Sequence, residues 1–143
     1  MNVVFSVLGQ PPSKSNSYRI GKFGNKATLV KSKHLKSYEA GFHVQIPCKY
    51  RGLLLEGRLR IELYCAFNWA APDLDNASKI LLDCLQSGQV IKNDNLVYEL
   101  HMYKYIAKEF KTLSKQDVGV IISIDKQETQ EVNMYEQLLA KLT

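Results

Sequence analysis

Residues 59–79, LRIELYCAFNWAAPDLDNASK, decide the fold. Over residues 59–67 apolar side chains alternate with more polar ones, which predicts a strand with one buried face. Pro72 then breaks the pattern, and a helical periodicity over about 75–85 predicts a helix directly afterwards. A strand that turns at once into a helix, with two aspartates at the turn, is therefore the centre of the predicted structure.

The remaining elements follow from the same two periodicities. Alternation predicts three further strands, over residues 3–8, 96–106 and 118–124, and residues 28–30 are taken as a short additional strand. Helical spacing predicts two further helices, over about 33–46 and 128–142. Loops are expected at residues 13–27 and, as a hairpin loop, at residues 107–117. This order predicts one α+β domain over residues 1–143, in which helices pack on one side of a mixed sheet.

The positive charge is concentrated near the start of the chain. The net charge is +5, yet residues 1–40 alone carry seven basic residues and one acid. Such a segment is typical of a surface that contacts the phosphate backbone of a nucleic acid. The alternative is that these lysines and arginines only form a solvated surface, and charge alone does not separate the two interpretations.

The cysteines and the apolar runs bear on location. Cys48, Cys65 and Cys84 form no CxxC or CxxH pattern, which is typical of a reducing compartment and gives no structural zinc site. No apolar run is long enough for a transmembrane helix, and the first residues lack the basic and apolar regions of a signal peptide. We therefore expect a cytoplasmic protein without a membrane partner.

The residues able to bind a metal or take part in catalysis lie at the strand-to-helix turn and some twenty residues later. Asp73 and Asp75 stand two residues apart at the turn, and Lys79 lies one helical turn beyond Asp75. If strands 59–67 and 96–106 are neighbours, Asp94 is expected to approach the two aspartates. Three carboxylates without histidine or cysteine suit a hard cation, Mg²⁺ or Mn²⁺. The alternative is that Asp73 and Asp75 only cap a helix and Asp94 only forms a turn.

Other site classes find little support in the sequence. No Walker A or GxGxxG pattern occurs, and an EF-hand loop would need a glycine at Ser78 and a glutamate at Cys84. The three histidines have no partner at metal-ligand spacing. Asp83 follows Lys79 by one helical turn and is expected to pair with it rather than bind a metal.

The chain resembles the RusA family of Holliday junction resolvases over roughly residues 3–124. The matching motifs are Pro11-Pro12-Ser13-x-x-Asn16, Asp73-Leu74-Asp75-Asn76-x-x-Lys79, Asp83-x-Leu85, Gly88-x-Val90 and Asp94 before a strand. The resemblance implies that Asp73, Asp75 and Asp94 are metal-binding catalytic acids and that Lys79 is a catalytic lysine. It also implies a homodimer that cuts four-way DNA junctions with a divalent metal.

Two departures from the family pattern stand out. Asn93 occupies a position at which members often have a second acid before Asp94, and Ala70-Ala71-Pro72 precedes the first acid where members often have arginines.

The residues expected to contact DNA are Lys14, Asn16, Arg19, Lys31, Lys33 and Asn76.

The leading hypothesis is thus an Mg²⁺-dependent endonuclease, with Mn²⁺ as a substitute, that acts on branched DNA as a homodimer. A non-catalytic nucleic-acid-binding protein and a small interaction protein without a nucleic-acid partner remain as alternatives.

Overall fold

The computed structural model describes residues 2–13, 17–70, 72–109, 118–128 and 133–142. These residues form β1 (Val3–Leu8), β2 (Tyr18–Phe23), β3 (Lys26–Lys31), α1 (Lys33–Gln45), β4 (Leu59–Phe67), α2 (Leu74–Ser87), β5 (Val97–Ile106), β6 (Gly119–Lys126) and α3 (Met134–Lys141). The predicted α+β class with a mixed sheet is confirmed.

The main sheet has the strand order β1-β6-β4-β5. Strand β6 runs antiparallel to both β1 and β4, whereas β5 runs parallel to β4 and is reached through α2. The prediction of a hairpin loop at residues 107–117 is therefore wrong, because β4 lies between β5 and β6. Alternation shows which residues of a strand face the core, but it does not identify the neighbouring strand. Residues 110–117 lie outside the described part of the chain.

The core lies between one face of this sheet and helices α1 and α2. Strand β4 alternates between buried and half-buried residues along its whole length, as its sequence predicts. Helix α2 covers it with Ala77, Ile80, Leu81, Cys84 and Leu85, and α1 adds Leu35 and Phe42. Each large apolar side chain buried in this way contributes about 1.5–3 kcal/mol to folding. The resulting core holds the end of β4 and the start of α2 in fixed positions.

The opposite face of the sheet, which we call the outer face, is largely uncovered. It exposes Val4 and Leu8 of β1 and Ile121 of β6, and it includes the stacked rings of Tyr64 and Tyr103, whose centroids are 4.9 Å apart. Beside these residues lies a shallow pocket of about 260 Å³ with a mainly apolar lining. The outer face therefore has an exposed apolar part around these residues, next to a charged part with Arg60, Glu62, Glu99 and His101.

Strands β2 and β3 form a separate two-stranded hairpin, with Tyr18 opposite Lys31. The prediction of a loop over residues 13–27 is wrong for β2 and the start of β3. Ile20, Phe23 and Leu29 of the hairpin are exposed, so its strands do not show the buried alternation that identifies a strand in sequence. Buried Ser17 anchors its base: its hydroxyl donates to the Ser13 carbonyl at 2.5 Å, and its carbonyl accepts from the Ser32 amide at 2.8 Å.

The predicted C-terminal helix is present as α3, and every residue of it is exposed. Within the described residues, no helix is long and apolar enough to cross a membrane.

Candidate active site

Asp73 and Asp75 stand at the start of α2. Asp73 occupies the N-cap position with extended backbone (φ −93°, ψ 140°), yet among the described residues its carboxylate accepts no capping hydrogen bond. Asp75 lies in the first helical turn, where its carbonyl accepts from the Ser78 hydroxyl at 2.7 Å. Both aspartates are exposed, and negative charge is favourable at this end of a helix. The Asp73 carboxylate is therefore free of the capping role that the alternative interpretation assigns to it.

Lys79 lies one turn further along α2 and joins two carboxylates. Its ammonium nitrogen Nζ donates to Asp94 Oδ2 at 2.8 Å and stands 3.0 Å from Asp83 Oδ1. The hydrogen bond to Asp94, followed by the one to Asp83, holds the pKa of Lys79 above its ordinary value. Lys79 is accordingly a fixed positive charge at neutral pH. The expected pairing of Asp83 with Lys79 is present.

The turn that carries Asp94 is stabilised by two neighbouring amide side chains. Asn93 Oδ1 accepts from the Asn95 amide at 3.0 Å, and Gln86 Oε1 accepts from the Asp94 amide at 2.9 Å. These bonds satisfy the turn without the Asp94 carboxylate. Asn93, which departs from the family pattern, thus serves as the cap of this turn, and the Asp94 carboxylate is left to contact Lys79.

The structure does not bring the three predicted metal-binding acids together within one chain. Strands β4 and β5 are neighbours, as the prediction requires, but they are parallel. Asp94 precedes β5 and Asp73 follows β4, so the two aspartates belong to opposite ends of this strand pair. Among the described residues, no group of three or more His, Cys, Asp or Glu side chains is placed to hold a metal ion. The oxygen donors suit Mg²⁺ chemically, but their arrangement in this structure does not form a three-carboxylate site.

Asp73 borders a groove of about 650 Å³ between the starts of α1 and α2. The lining residues are Gln10, Pro11, Pro12, Ser13, His34, Asn68, Trp69, Pro72, Asp73 and Asn76. We call this the Trp69 groove. Sequence reasoning missed all of these residues except Asp73 and Asn76 as site residues. The signal available was an aromatic residue four positions before Asp73, but its exposure cannot be read from sequence.

The wall of the Trp69 groove is fixed by two long side chains. Lys104 Nζ of β5 donates to the carbonyls of Ala70 and Pro72, each at 2.5 Å. Gln10 Oε1 accepts from the Asn68 amide at 3.1 Å, which ties the segment after β1 to the end of β4. Residues on either side of Trp69 are thus held in place.

The residues predicted to contact DNA are distributed around the Trp69 groove and the hairpin. Asn76 lines the groove, Arg19 is exposed on β2, and Lys33 is exposed at the first position of α1. Lys31 is engaged in an ion pair with Glu39 at 2.9 Å, and this hydrogen bond raises the pKa of Lys31. Lys14 and Asn16 lie outside the described residues.

The sequence of this small α+β protein matches one nuclease family. The model of the family described as Endodeoxyribonuclease RusA matches residues 9–124, a range that contains Asp73, Asp75, Lys79 and Asp94. A relative from Aquifex aeolicus (strain VF5), described as crossover junction endodeoxyribonuclease RusA, is 31% identical over 115 residues, which are 80% of this chain and 83% of the relative. The chain belongs to the RusA family of endodeoxyribonucleases. Helix α3 follows the matched region.

Proposed function

We propose that this protein is an endodeoxyribonuclease that resolves four-way (Holliday) DNA junctions during recombination and repair. The family and its crossover-junction relative support the reaction and the branched substrate. The observation in the structure that carries the proposal is the state of the acidic side chains. Asp73 does not cap α2 within the described residues, and the Asp94 turn is satisfied by Asn93 and Gln86. Neither carboxylate therefore acts as the helix cap or the turn acceptor that the alternative interpretation assigns to it.

Lys79 is the second part of the proposal. Its ammonium group is exposed and permanently charged, so it suits a role beside a phosphate oxygen that gains negative charge during hydrolysis. The ion pair with Asp83 restrains the lysine side chain independently of Asp94. Asp94 can therefore change its partner while Lys79 stays in position.

We propose Mg²⁺ as the cofactor, with Mn²⁺ as a substitute, and Asp73, Asp75 and Asp94 as its ligands. The donor chemistry supports this choice, because carboxylate oxygens are the ligands that these hard cations prefer. A shared ion would require an arrangement other than the one found in the single chain, with Asp94 released from Lys79. The bound metal would activate water and neutralise charge on the phosphate.

A second candidate function is a nucleic-acid-binding protein without catalysis. The separation of Asp94 from Asp73 and the absence of a three-acid group among the described residues favour it. A calorimetric titration with Mg²⁺ or Mn²⁺ distinguishes the two functions. The nuclease is expected to show a saturable metal site that disappears in Asp75→Asn, whereas the binding protein is expected to show none.

We further propose that the active form is a homodimer. A four-way junction presents two symmetry-related strands, and a two-fold dimer places one site on each of them. The exposed apolar part of the outer face, with Val4, Leu8 and Ile121, supports an association between two copies. Light scattering on wild type and on Ile121→Glu tests this: wild type is expected to be a dimer and the variant a monomer. A monomeric wild type with full activity contradicts the homodimer proposal.

We also propose that the protein is located in the cytoplasm of a bacterium or of a phage-infected cell, because its cysteines are free and its proposed substrate is DNA.

The decisive experiment compares cleavage of a labelled four-way junction and a matching linear duplex, each with and without Mg²⁺. We expect strand cleavage of the junction only, and only with metal. Asp73→Asn, Asp75→Asn and Asp94→Asn are each expected to abolish cleavage while junction binding is retained, because an amide keeps the shape and loses the charge. Glu136→Gln, at an exposed position of α3 outside the matched region, also replaces a carboxylate by an amide; it is the matched control and is expected to cleave as wild type. Full activity in any two of the three variants would contradict the site assignment.

A further inference from the structure

The Trp69 groove contains an exposed aromatic ring at a fixed position. Trp69 is 52% exposed, although a tryptophan side chain usually gains from burial. No aromatic or cationic side chain of the described residues stacks on its ring. The segment that carries it is held by Lys104 on one side and by Gln10 on the other. The indole ring is therefore a preorganised flat surface on which no described aromatic or cationic side chain stacks.

The groove around the ring is polar and has groups available for hydrogen bonding. Within the described part of the chain, the side-chain amides of Asn68 and Asn76 make no hydrogen bond, although each can donate and accept. His34 adds an imidazole from the first turn of α1. Amide and imidazole groups of this kind match the donor and acceptor edges of nucleobases. An apolar ligand would leave them unsatisfied, which is unfavourable.

The size and position of the groove fit one nucleotide unit beside the acids. Its volume of about 650 Å³ lies within the range of about 300–1,000 Å³ that is usual for ligand sites. Asp73 forms part of its lining, and Asp75 follows two residues later in the same helix. A base held in the groove would therefore place its own backbone next to these carboxylates.

We propose that the Trp69 groove binds one unstacked nucleobase of branched DNA, with the base stacked on the Trp69 indole and its edge contacted by Asn68 and Asn76. The inference rests on the proposed function and adds a specificity-determining residue to it. Continuous duplex DNA keeps its bases stacked and paired, whereas a branch point has bases that can leave the stack at lower cost. The groove thus favours a branched substrate over a linear one.

Trp69 is the single tryptophan of the chain, so its fluorescence reports on this groove alone. The probe is a synthetic four-way junction in EDTA, with a linear duplex of the same sequence as the comparison. We expect saturable quenching of the indole by the junction and little quenching by the duplex. Base stacking on an aromatic side chain corresponds to about a 5- to 150-fold effect on affinity, so Trp69→Leu is expected to weaken junction binding by that factor. Trp69→Phe keeps an aromatic face, so its affinity for the junction is expected to lie between that of wild type and that of Trp69→Leu.

Tyr135→Leu serves as the control, because Tyr135 is also an exposed aromatic residue but lies on α3, away from the groove. It is expected to bind the junction as wild type. Anisotropy of labelled DNA reports binding independently of the tryptophan. Junction binding and cleavage without any change in Trp69 fluorescence, together with wild-type affinity in Trp69→Leu, would overturn this inference and leave the proposed function intact. A wild-type protein that neither binds nor cleaves the junction would overturn the proposed function and this inference with it.

Discussion

At the scale of single residues, Lys79 has contacts that two interpretations explain differently. If the Lys79 ammonium group only forms ion pairs with Asp83 and Asp94, replacing Lys79 is expected to change the stability of the protein and little else. If it also stabilises charge on the phosphate, Lys79→Ala is expected to lower turnover about 10²- to 10³-fold. Because the side chain is 49% exposed, its ion pairs contribute no more than about 1 kcal/mol to the free energy of unfolding.

Cleavage rates and chemical denaturation of the same variant separate these interpretations. Lys92→Ala is the matched control, since Lys92 also forms an exposed ion pair, with Glu56. The control is expected to leave turnover unchanged. Wild-type turnover in Lys79→Ala would restrict Lys79 to a structural role.

The three thiols are expected to react at very different rates. Burial raises the pKa of Cys65 to about 11 and that of Cys84 to about 12, whereas Cys48 is exposed. Because the thiolate is the reactive form, a raised pKa slows alkylation at any pH below it, and the two buried thiols are also shielded from the reagent. We expect mass spectrometry to find one rapid iodoacetamide adduct on the native protein at about pH 8, and we expect it on Cys48, whose side chain is exposed. The unfolded protein is expected to carry three adducts. Equal rates for Cys48 and Cys84 in the native state would contradict the packing of α2.

At the scale of elements, the pairing of β1 with β6 depends on Gly119. A Cβ atom at this position would stand 2.2 Å from the Val7 carbonyl oxygen, and backbone cannot move aside as a flexible side chain can. Gly119→Ala is therefore expected to lower the free energy of unfolding by about 1–3 kcal/mol or more.

Gly41→Ala is a matched control, because it is expected to change the free energy of unfolding in the opposite direction. Gly41 lies inside α1, and a Cβ atom there would meet no described atom within 4 Å, apart from its own helix backbone and chain neighbours. Alanine at this position is expected to stabilise the protein by about 0.5–1 kcal/mol, because glycine loses more conformational freedom on folding. Urea denaturation measures both. A Gly119→Ala variant as stable as Gly41→Ala would show that the two strands are not packed as described.

The elements also show how far the sequence alone predicts this structure. Strand β4 and helix α2 were predictable because one face of each is buried in the core, and burial imposes a periodic pattern. Strand β2 was not, since both of its faces contact solvent and such a strand has no periodic pattern. That β4 and β5 are neighbours was considered from the sequence, but their parallel direction was not predicted, because alternation is the same for either direction.

The candidate site was predictable only in part, and from residue type and spacing rather than from burial. Residue type and spacing made Asp73, Asp75, Lys79 and Asp94 candidates, and the helical spacing correctly paired Lys79 with Asp83. The distance between Asp94 and the other two acids depends on strand direction, which spacing does not contain. The role of Lys104 in holding the segment after β4 depends on a long-range contact across the sheet, and no local pattern indicates it.

At the scale of the whole molecule, the charge excess of residues 1–40 is expected to govern the salt dependence of DNA binding. Arg19 and Lys22 both lie on β2 of the hairpin. If each contacts one phosphate, the double variant Arg19→Gln/Lys22→Gln is expected to reduce the slope of log K against log salt concentration by up to about 2.

Lys126→Gln/Lys141→Gln removes the same charge from exposed positions outside this segment and is the control. Anisotropy titrations of the junction measure the salt slope of each double variant. They are made between about 50 mM and 200 mM salt, because affinity changes strongly over this range. Identical slopes for the two double variants would show that net charge, rather than the hairpin, determines the attraction.

The main sheet pairs the first described strand with the last one, because Val3 pairs with Ile124, and β6 is also the antiparallel neighbour of β4. During synthesis the first strand therefore emerges long before its partner exists. Until β6 has been made, the apolar residues Val3, Phe5 and Val7 cannot be covered in their native positions. A contact of such long range closes late and slows folding. Between the synthesis of β1 and that of β6, a nascent chain of this protein should consequently depend on protection against aggregation, and its core should be complete only once β6 has been made.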